Sequence, residues 1–201
     1  DIKSVITTLK SNFLTQGPKV LEFEKQLNSL CGTKYACAVS SGTAALHLAI
    51  ISLGIKKNDY VITTPMTFLA SANSTVYVGA KPVFVDIDEK NYCIDIKKLE
   101  KKLLEHKKKN KRIKAVIVTD YAGHVADWNK IRKLAKKYKF FTINDNCHAL
   151  GAKYKKDKKY ACKYADIATQ SFHPVKVITT GEGGAVLTNH KKFFEKINIL
   201  R

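Results

Sequence analysis

The sequence lacks the features that mark secreted, membrane-spanning or zinc-stabilised proteins. Its five cysteines are odd in number and widely spaced, with no Cys-x-x-Cys pair, so neither a disulfide framework nor a zinc site is indicated. No apolar run approaches the roughly 20 residues of a spanning helix, and no signal-peptide pattern opens the chain. We therefore expect a soluble, cytoplasmic protein with no bound metal and no membrane insertion.

Acidic residues are also scarce, since 17 Asp and Glu face 36 Lys and Arg and give a net charge of +19. Such an excess raises nucleic acid or an anionic membrane surface as a partner. The lysines, however, cluster at 97–111 and 153–159, where we expect a solvated helix face and a turn, without interleaved aromatic residues. We expect no nucleic-acid partner, and a basic binding module for nucleic acid or anionic surfaces stays open as an alternative.

What the chain does have is a regular alternation of short β-branched runs and helical patterns from about residue 35 onward. The expected strands are 35–40, 60–64, 82–86, 115–119, 140–144, 167–172 and 185–188. The expected helices are 43–53, 68–78, 95–109 and a helix capped by Asp127 that runs to about 138, with another beginning at 193. This alternation is typical of an α/β fold with a mostly parallel central sheet and helices on both faces.

We expect residues 1–34 to form an N-terminal substrate-side segment and helix packed on the domain, and residues 35–201 to form the large domain. The ends do not have the pattern of a finished domain. Residue 1 is an aspartate, and the helix expected from 193 stops without a cap or a following element. We therefore expect a C-terminal portion to be missing from these 201 residues.

The segment 171–184 sets Lys176 between an apolar run and a glycine turn, apart from the solvated lysine clusters. A lysine that a tight backbone displays and partly shields from water loses some of its preference for the protonated form, and its amine can then condense with an aldehyde. Pyridoxal 5′-phosphate is the usual aldehyde. The alternative is that Lys176 is one more surface cation.

Pyridoxal 5′-phosphate also needs an acid at its pyridine nitrogen and a donor-rich cradle for its phosphate. Residues Ser40–Thr43 precede an apolar helix, where backbone N–H groups and the Thr43 hydroxyl can bind an anion. Asp145 ends an apolar strand and can keep the pyridine nitrogen protonated. An ordinary helix cap and a turn-forming aspartate are the alternatives for these two features.

Three further side chains complete a possible cofactor site. Phe68 can stack on the pyridine ring, His148 can contact the ring or its phenolic oxygen, and Ser171 can donate to the phosphate. A core phenylalanine and a structural histidine are the ordinary alternatives for the first two.

Taken together, these motifs resemble the DegT-type family of nucleotide-sugar aminotransferases, which are fold type I enzymes that use pyridoxal 5′-phosphate. The similarity runs along almost the whole chain. It rests on the segments 13–18, 23–24, 41–46, 64–68, 82–86, 145–151 and 171–184.

The resemblance implies a role for each matching residue. Lys176 matches the lysine that bonds the cofactor aldehyde, and Asp145 matches the carboxylate at the pyridine nitrogen. The other cofactor-binding positions are Gly42, Thr43 and Ser171 at the phosphate, Phe68 on the ring face and His148 beside the phenolic oxygen. Thr15 and Gly17 belong to a loop that resembles the family's substrate-side segment.

The resemblance also implies a reaction, the transfer of an amino group from glutamate to a nucleotide-linked 4-keto-6-deoxysugar. Residues 15–18 and the Asp-Tyr-Ala-Gly run at 120–123 are most similar to UDP-4-keto-6-deoxy-N-acetylhexosamine 4-aminotransferases of the pseudaminic acid type. A sugar dehydratase branch usually has histidine in place of the lysine, so Lys176 argues against it. Family members dimerise and have a C-terminal small domain, which we expect to be missing here; a truncated, non-catalytic relative is therefore another alternative.

Overall fold

A seven-stranded sheet forms the centre of the molecule, and helices cover both of its faces. The structure is a computed structural model that describes residues 1–201. The strands are β1 Tyr35–Val39, β2 Tyr60–Thr63, β3 Lys81–Phe84, β4 Ile113–Thr119, β5 Phe141–Asp145, β6 Ile167–Ser171 and β7 Gly184–Thr188. The helices are α1 Ile2–Leu9, α2 Pro18–Cys31, α3 Gly42–Ser52, α4 Ala70–Tyr77, α5 Ile96–Lys108, α6 Trp128–Tyr138, α7 Ala161–Tyr164 and α8 Lys191–Leu200. The expected α/β architecture is confirmed.

The strand order in the sheet is β1-β7-β6-β5-β4-β2-β3. Strand β7 pairs antiparallel with both β1 and β6, and every other pair is parallel. Six strands therefore run in one direction, and their carboxyl ends lie along one edge, which is where open α/β sheets bind ligands. The prediction of a mostly parallel sheet is confirmed.

Strand β4 shows why the sheet needs helices on both faces. All of its residues from 115 to 119 are buried, and successive side chains point to opposite faces. Val116 and Val118 join a core cluster that contains the buried sides of α5 and α6. Ala115 and Ile117 join a second cluster beneath α3 and α8. The chain therefore buries apolar strand residues on both sides, as parallel sheets require.

The ends of the helices follow local side-chain chemistry. Asp95 caps α5 by accepting from the N–H groups of Lys97 and Lys98 at 2.7 and 2.9 Å. Asp127 caps α6 as predicted, accepting from the Lys130 N–H at 3.2 Å. None of the helices is both long and apolar enough to cross a membrane.

One predicted boundary is wrong in a way that bears on the site. The helix expected from residue 68 begins at Ala70, because the N–H groups of Ser71 and Ala72 bond to carbonyls three residues back, in the turn that holds Phe68 and Leu69. Phe68 thus lies outside the helix, with 67% of its surface exposed. An aromatic ring on a turn is free to line a cavity instead of packing in the core.

Candidate active site

The strand register aligns the chemical groups at the carboxyl edge of the sheet. Asp145 at the end of β5 lies opposite Thr119 of β4 on one side and Thr169 of β6 on the other. Farther along, Ser171 and Val39 both lie opposite Gly184 of β7. The turn that follows β1 therefore comes beside the end of β6, although about 130 residues separate them in sequence.

A cavity of about 260 Å³ opens at this edge. It contains all seven residues that the sequence predicted for the cofactor: Gly42, Thr43, Phe68, Asp145, His148, Ser171 and Lys176. The remaining lining residues are Ser41, Leu46, Thr67, Ala70, Cys147, His173, Val175 and Glu182. Thr15 and Gly17 do not line this cavity; the intervening Gln16 lines a separate one, together with Ser40 and Arg201.

The amino terminus of α3 forms one wall of the cavity. The Ser41 hydroxyl caps this helix by accepting from the Ala44 N–H at 3.1 Å. The ordinary cap interpretation is therefore right for Ser41, and the helix still directs its first N–H groups and its positive dipole end toward the cavity. Such a helix terminus is a ready site for a phosphate group.

Two glycines permit a close approach of backbone at this wall. A Cβ on Gly42 would lie 2.8 Å from the Ser171 Cβ and 3.3 Å from the Cys147 sulfur. A Cβ on Gly184 would overlap the backbone of Ser41. Any larger residue would push the α3 terminus away from β6 and β7. The wall that the α3 amino terminus forms with Gly42, Gly184 and Ser171, here called the phosphate wall, therefore depends on both glycines for its shape.

Asp145 is buried and is held from two sides. Its Oδ2 accepts from the Ser71 hydroxyl at 2.8 Å, and its Oδ1 accepts from the Cys147 N–H at 3.4 Å. The Ser71 hydroxyl lies 3.1 Å from that of Thr67, which in turn lies 3.0 Å from the Thr119 hydroxyl. This chain of hydroxyls fixes the orientation of the carboxylate at the cavity wall.

His148 is fixed as a neutral donor. The Ala122 N–H donates to its Nδ1 at 3.3 Å, so in the neutral ring Nε2 carries the proton. Burial and the positive charge of Lys176 lower the pKa of His148, and the Asp145 carboxylate opposes them. At neutral pH the imidazole therefore offers one N–H at Nε2.

Lys176 lies in the turn between β6 and β7, where its N–H bonds to the His173 carbonyl at 2.9 Å. Its side chain is half-buried, while the flanking Val175 and Val177 are 77% and 63% exposed. The lysine charge reaches the other site residues, since it lowers the pKa of His148 and partly offsets the raised pKa of the Cys147 thiol. Burial holds the pKa of the Cys147 thiol well above its usual value, so this cysteine stays protonated at neutral pH.

Residues 1–201 match the DegT/DnrJ/EryC1/StrS aminotransferase family. The chain belongs to this family. Among curated relatives, it is 46% identical over 201 residues to the UDP-4-amino-4,6-dideoxy-N-acetyl-beta-L-altrosamine transaminase of Campylobacter jejuni, covering all of this chain and 52% of that protein. It is 38% identical over 182 residues to the GDP-perosamine synthase of Escherichia coli O157:H7, covering 90% of this chain and 48% of that one.

Solved structures of the DegT family show the same fold. Helicobacter pylori PseC, an aminotransferase involved in the biosynthesis of pseudoaminic acid, superposes with a TM-score of 0.89 at 36% identity, covering all of this chain and 52% of PseC. NtdA from Bacillus subtilis, with bound cofactor PMP, superposes with a TM-score of 0.86 at 30% identity over 98% of this chain and 43% of NtdA. The chain spans about half the length of the curated relatives it matches.

The residues of the cavity fit pyridoxal 5′-phosphate. The phosphate wall at the α3 amino terminus suits a phosphate, and the side-chain amine of Lys176 lines the same cavity. Asp145 provides a fixed carboxylate, and Phe68 provides an exposed aromatic face. Each chemical part of the cofactor therefore has a matching group in one cavity.

Sequence reasoning missed the residues that hold Asp145. Ser71 and Thr119 are buried side chains in α4 and β4, and neither belongs to a recognisable motif. Thr67 adjoins Phe68 and was noticed only as part of that segment. The one available signal was that polar Ser71 and Ser74 interrupt the apolar pattern of α4, because buried hydroxyls require partners.

Proposed function

We propose that this protein is a pyridoxal 5′-phosphate-dependent aminotransferase that moves an amino group from glutamate to a nucleotide-linked 4-keto-6-deoxysugar. The observation that carries the proposal is the meeting of Lys176, Asp145 and the α3 amino terminus in one cavity. The names of the Campylobacter and Escherichia relatives support an amino sugar as the product. The product then serves the synthesis of a surface polysaccharide or a nonulosonic acid of the pseudaminic type.

The bound cofactor supplies an aldehyde that captures amines and a pyridine ring that accepts electrons. With the cofactor bound, the Nζ of Lys176 would hold its aldehyde carbon, and the α-amine of glutamate would take that place and leave the Nζ as a free amine. The free Nζ would then remove the proton from the Cα of glutamate. In the second half of the reaction Lys176 moves the proton in the opposite direction, and the sugar receives the amino group.

The remaining residues bind and orient. The carboxylate of Asp145, which Ser71 orients, would hold a proton at the pyridine nitrogen, and Nε2 of His148 would donate to the phenolic oxygen. The α3 N–H groups and the hydroxyls of Thr43 and Ser171 would bind the phosphate. Phe68 would cover one face of the ring and exclude water from it.

The substrate-side role of Thr15 and Gly17 is also part of this proposal. Their loop follows α1, and Gln16 between them shares a cavity with Ser40, which directly precedes the Ser41 cap. The loop therefore lies near the phosphate wall without lining the cofactor cavity. This position suits a segment that contacts the sugar nucleotide outside the cofactor cavity.

The proposal is tested by loading the protein with pyridoxal 5′-phosphate, reducing it with borohydride and mapping the modified peptide. We expect a visible absorbance band and a covalent label on Lys176. Lys176→Ala should abolish both, while Lys133→Ala, an exposed lysine of α6, should change neither. A colourless wild-type protein, or equal labelling of the Lys176→Ala variant, would contradict the proposal and favour a non-catalytic relative.

The substrate is tested by incubating the loaded protein with glutamate and a panel of UDP- and dTDP-linked ketosugars. We expect 2-oxoglutarate and one aminosugar nucleotide, with 4-keto-6-deoxy compounds reacting fastest. Reaction of 3-keto sugars alone would contradict the proposed 4-keto specificity and leave the aminotransferase assignment in place.

We also propose that the complete protein is a homodimer and that it works in the cytoplasm. Large apolar side chains lie exposed on α1 and on the segment after it, including Ile2, Leu9, Phe13 and Leu14, and suit a protein contact. All five cysteines are free thiols, and four of them are buried, which suits a reducing compartment. Sedimentation at several concentrations tests the dimer, and a monomer at all of them would overturn it.

A further inference from the structure

The Asp-Tyr-Ala-Gly run contains an aspartate that the proposed chemistry does not use. Asp120 has no exposed surface and follows β4 at the carboxyl edge of the sheet. Its carboxylate accepts from the N–H of Ala126 at 2.9 Å, the indole N–H of Trp128 at 3.2 Å and the hydroxyl of Tyr160 at 2.7 Å. A buried carboxylate with only neutral donors as partners is costly to desolvate, so it needs another explanation than core stability.

The fourth donor links Asp120 to the active site. The side-chain amide of Asn146 donates to Asp120 Oδ2 at 3.2 Å and to the Tyr160 hydroxyl oxygen at 2.7 Å. The carbonyl oxygen of the same amide accepts from Gln170 at 2.6 Å. Asn146 directly follows Asp145, so its side chain is fixed at three points one residue away from the proposed pyridine partner.

The backbone is held at the same place. The Asp120 N–H donates to the Asp145 carbonyl at 3.1 Å, and the Asn146 N–H donates to the Thr169 carbonyl at 3.1 Å. The chain then turns through Cys147 to His148, whose Nδ1 accepts from Ala122, two residues after Asp120. Both ends of the turn that carries Asp145 and His148 are therefore attached to the segment 120–122.

We propose that Asp120 is a positioning residue that fixes Asn146 and thereby sets the placement of Asp145 and His148 in the cavity. This inference rests on the proposed function, because it assigns Asp120 to the same site. Burial raises the pKa of Asp120 to about 6, and the bonds to Ala126, Tyr160 and Trp128 oppose the rise. The carboxylate is therefore ionised at neutral pH, which is the form that accepts from all four donors.

Asp120→Asn keeps the size and shape of the side chain and removes its charge and one of its two acceptor oxygens, so it tests the hydrogen bonds alone. The new amide keeps an oxygen for Ala126 and Trp128, but its nitrogen faces the donors of Tyr160 and Asn146. We expect faster hydrogen–deuterium exchange at residues 145–149, a shifted pH midpoint of the visible band of the loaded protein, and amine transfer slower by roughly 10- to 100-fold. Affinity for pyridoxal 5′-phosphate should stay within about threefold, because the phosphate wall is untouched.

Exchanging the two side chains, so that the amide is at 120 and the carboxylate at 146, should restore the hydrogen bond between them. In Asp120→Asn with Asn146→Asp, the amide at 120 donates to the carboxylate at 146, which also accepts from Tyr160 and Gln170. We expect this double variant to restore slow exchange at 145–149 and most of the lost rate. Asp166→Asn is the matched control, because Asp166 is a hydrogen-bonded aspartate of the same sheet at the opposite edge.

Unchanged exchange at 145–149 and an unchanged rate in Asp120→Asn would overturn the inference. Equal losses in Asp166→Asn, or no recovery in the double variant, would overturn it too, since each indicates a general loss of stability. If Asp120→Asn does not fold, Tyr160→Phe, which removes one donor to the same carboxylate, replaces it in each comparison. If the wild-type protein binds no pyridoxal 5′-phosphate, the proposed function fails, while the exchange measurement still decides the role of Asp120.

Discussion

The two edges of the sheet hold aspartates in different ways. Asp166, at the amino end of β6, accepts from the Thr142 N–H and hydroxyl at 2.8 and 2.9 Å and pairs with Arg132 at 3.3 Å and His190 at 3.8 Å. Asp120 and Asp145, at the carboxyl edge, accept from neutral donors. At the amino edge, the Arg132 guanidinium balances the charge of Asp166 at a partly exposed surface, and the Asp166 carboxylate links β6 to Thr142 of β5. The carboxyl edge keeps carboxylates buried without cationic bonding partners, which is costly for stability and typical of a functional site.

The greatest loss of activity is expected from a change at Asp145. Asp145→Ala should slow amine transfer by roughly 10²- to 10⁴-fold, because the other carboxylate that lines the cavity, Glu182, is exposed and is not held in place as Asp145 is. Affinity for pyridoxal 5′-phosphate should fall far less, since the phosphate wall remains. Single-turnover kinetics and equilibrium titration measure the two quantities.

Asp166→Ala is the matched change at the other edge. It should lower the free energy of unfolding and leave the transfer rate of the folded protein unchanged, since Asp166 lies far from the cavity. A rate loss in Asp166→Ala as large as that in Asp145→Ala would show that the two edges do not differ as described.

The next effect concerns pH. Because the folded pKa of Asp120 is about 6 and its ordinary value is 3.8, the folded chain binds more protons than the unfolded chain between these values. The free energy of unfolding should therefore fall as pH rises from about 4 to about 6, by about 2 kcal/mol relative to Asp120→Asn. Urea unfolding of both proteins across this range measures the difference.

Two titratable groups beside Asp120, Cys93 and Tyr160, keep their protons in that pH window. Burial raises the pKa of the Cys93 thiol to about 11. Burial and the Asp120 charge raise the pKa of the Tyr160 hydroxyl well above its ordinary value. Both groups therefore stay protonated throughout. A constant difference between wild type and Asp120→Asn from pH 4 to 6 would contradict the assignment of a buried, titrating carboxyl group.

More modest losses are expected at the two ends of α3, which runs from the carboxyl edge of the sheet to its amino edge. Gly42→Ala should weaken affinity for pyridoxal 5′-phosphate by about 1 to 3 kcal/mol, because the new methyl group would contact Ser171 at 2.8 Å. Gly54→Ala, beyond the other end of α3, meets open space but has a positive φ of 73°. It should cost stability through backbone strain and leave affinity unchanged. Isothermal titration and thermal unfolding separate the two outcomes.

The smallest expected effect is at Ser71. Ser71→Ala removes one hydrogen bond from a hydroxyl to the Asp145 carboxylate, which contributes about 1.5 kcal/mol, and should slow amine transfer by roughly tenfold. The control is Ser52→Ala, since the buried Ser52 hydroxyl bonds only to the Ala49 carbonyl, at 2.8 Å, within α3. Equal rate losses in the two variants would remove Ser71 from the site.

Local chemistry made much of this protein predictable from its sequence. The strand and helix patterns and the Asp127 cap follow from short-range propensities, and the parallel sheet follows from the alternation of these elements. Because parallel strands bring their carboxyl ends to one edge, Gly42, Phe68, Asp145, Ser171 and Lys176 could be expected to meet. The cavity contains all five of them.

The tertiary structure alone decided how the carboxylates are held. Ser71 and Asp145 are 74 residues apart in sequence, and Asp120 and Tyr160 are 40 apart, so no local pattern predicts that either pair will bond. The strand register places Asp145 beside Thr119, and α4 then brings the Ser71 hydroxyl to its carboxylate. Propensity acts over a few neighbouring residues, whereas the satisfaction of a buried polar group depends on which distant segments the packed core brings together.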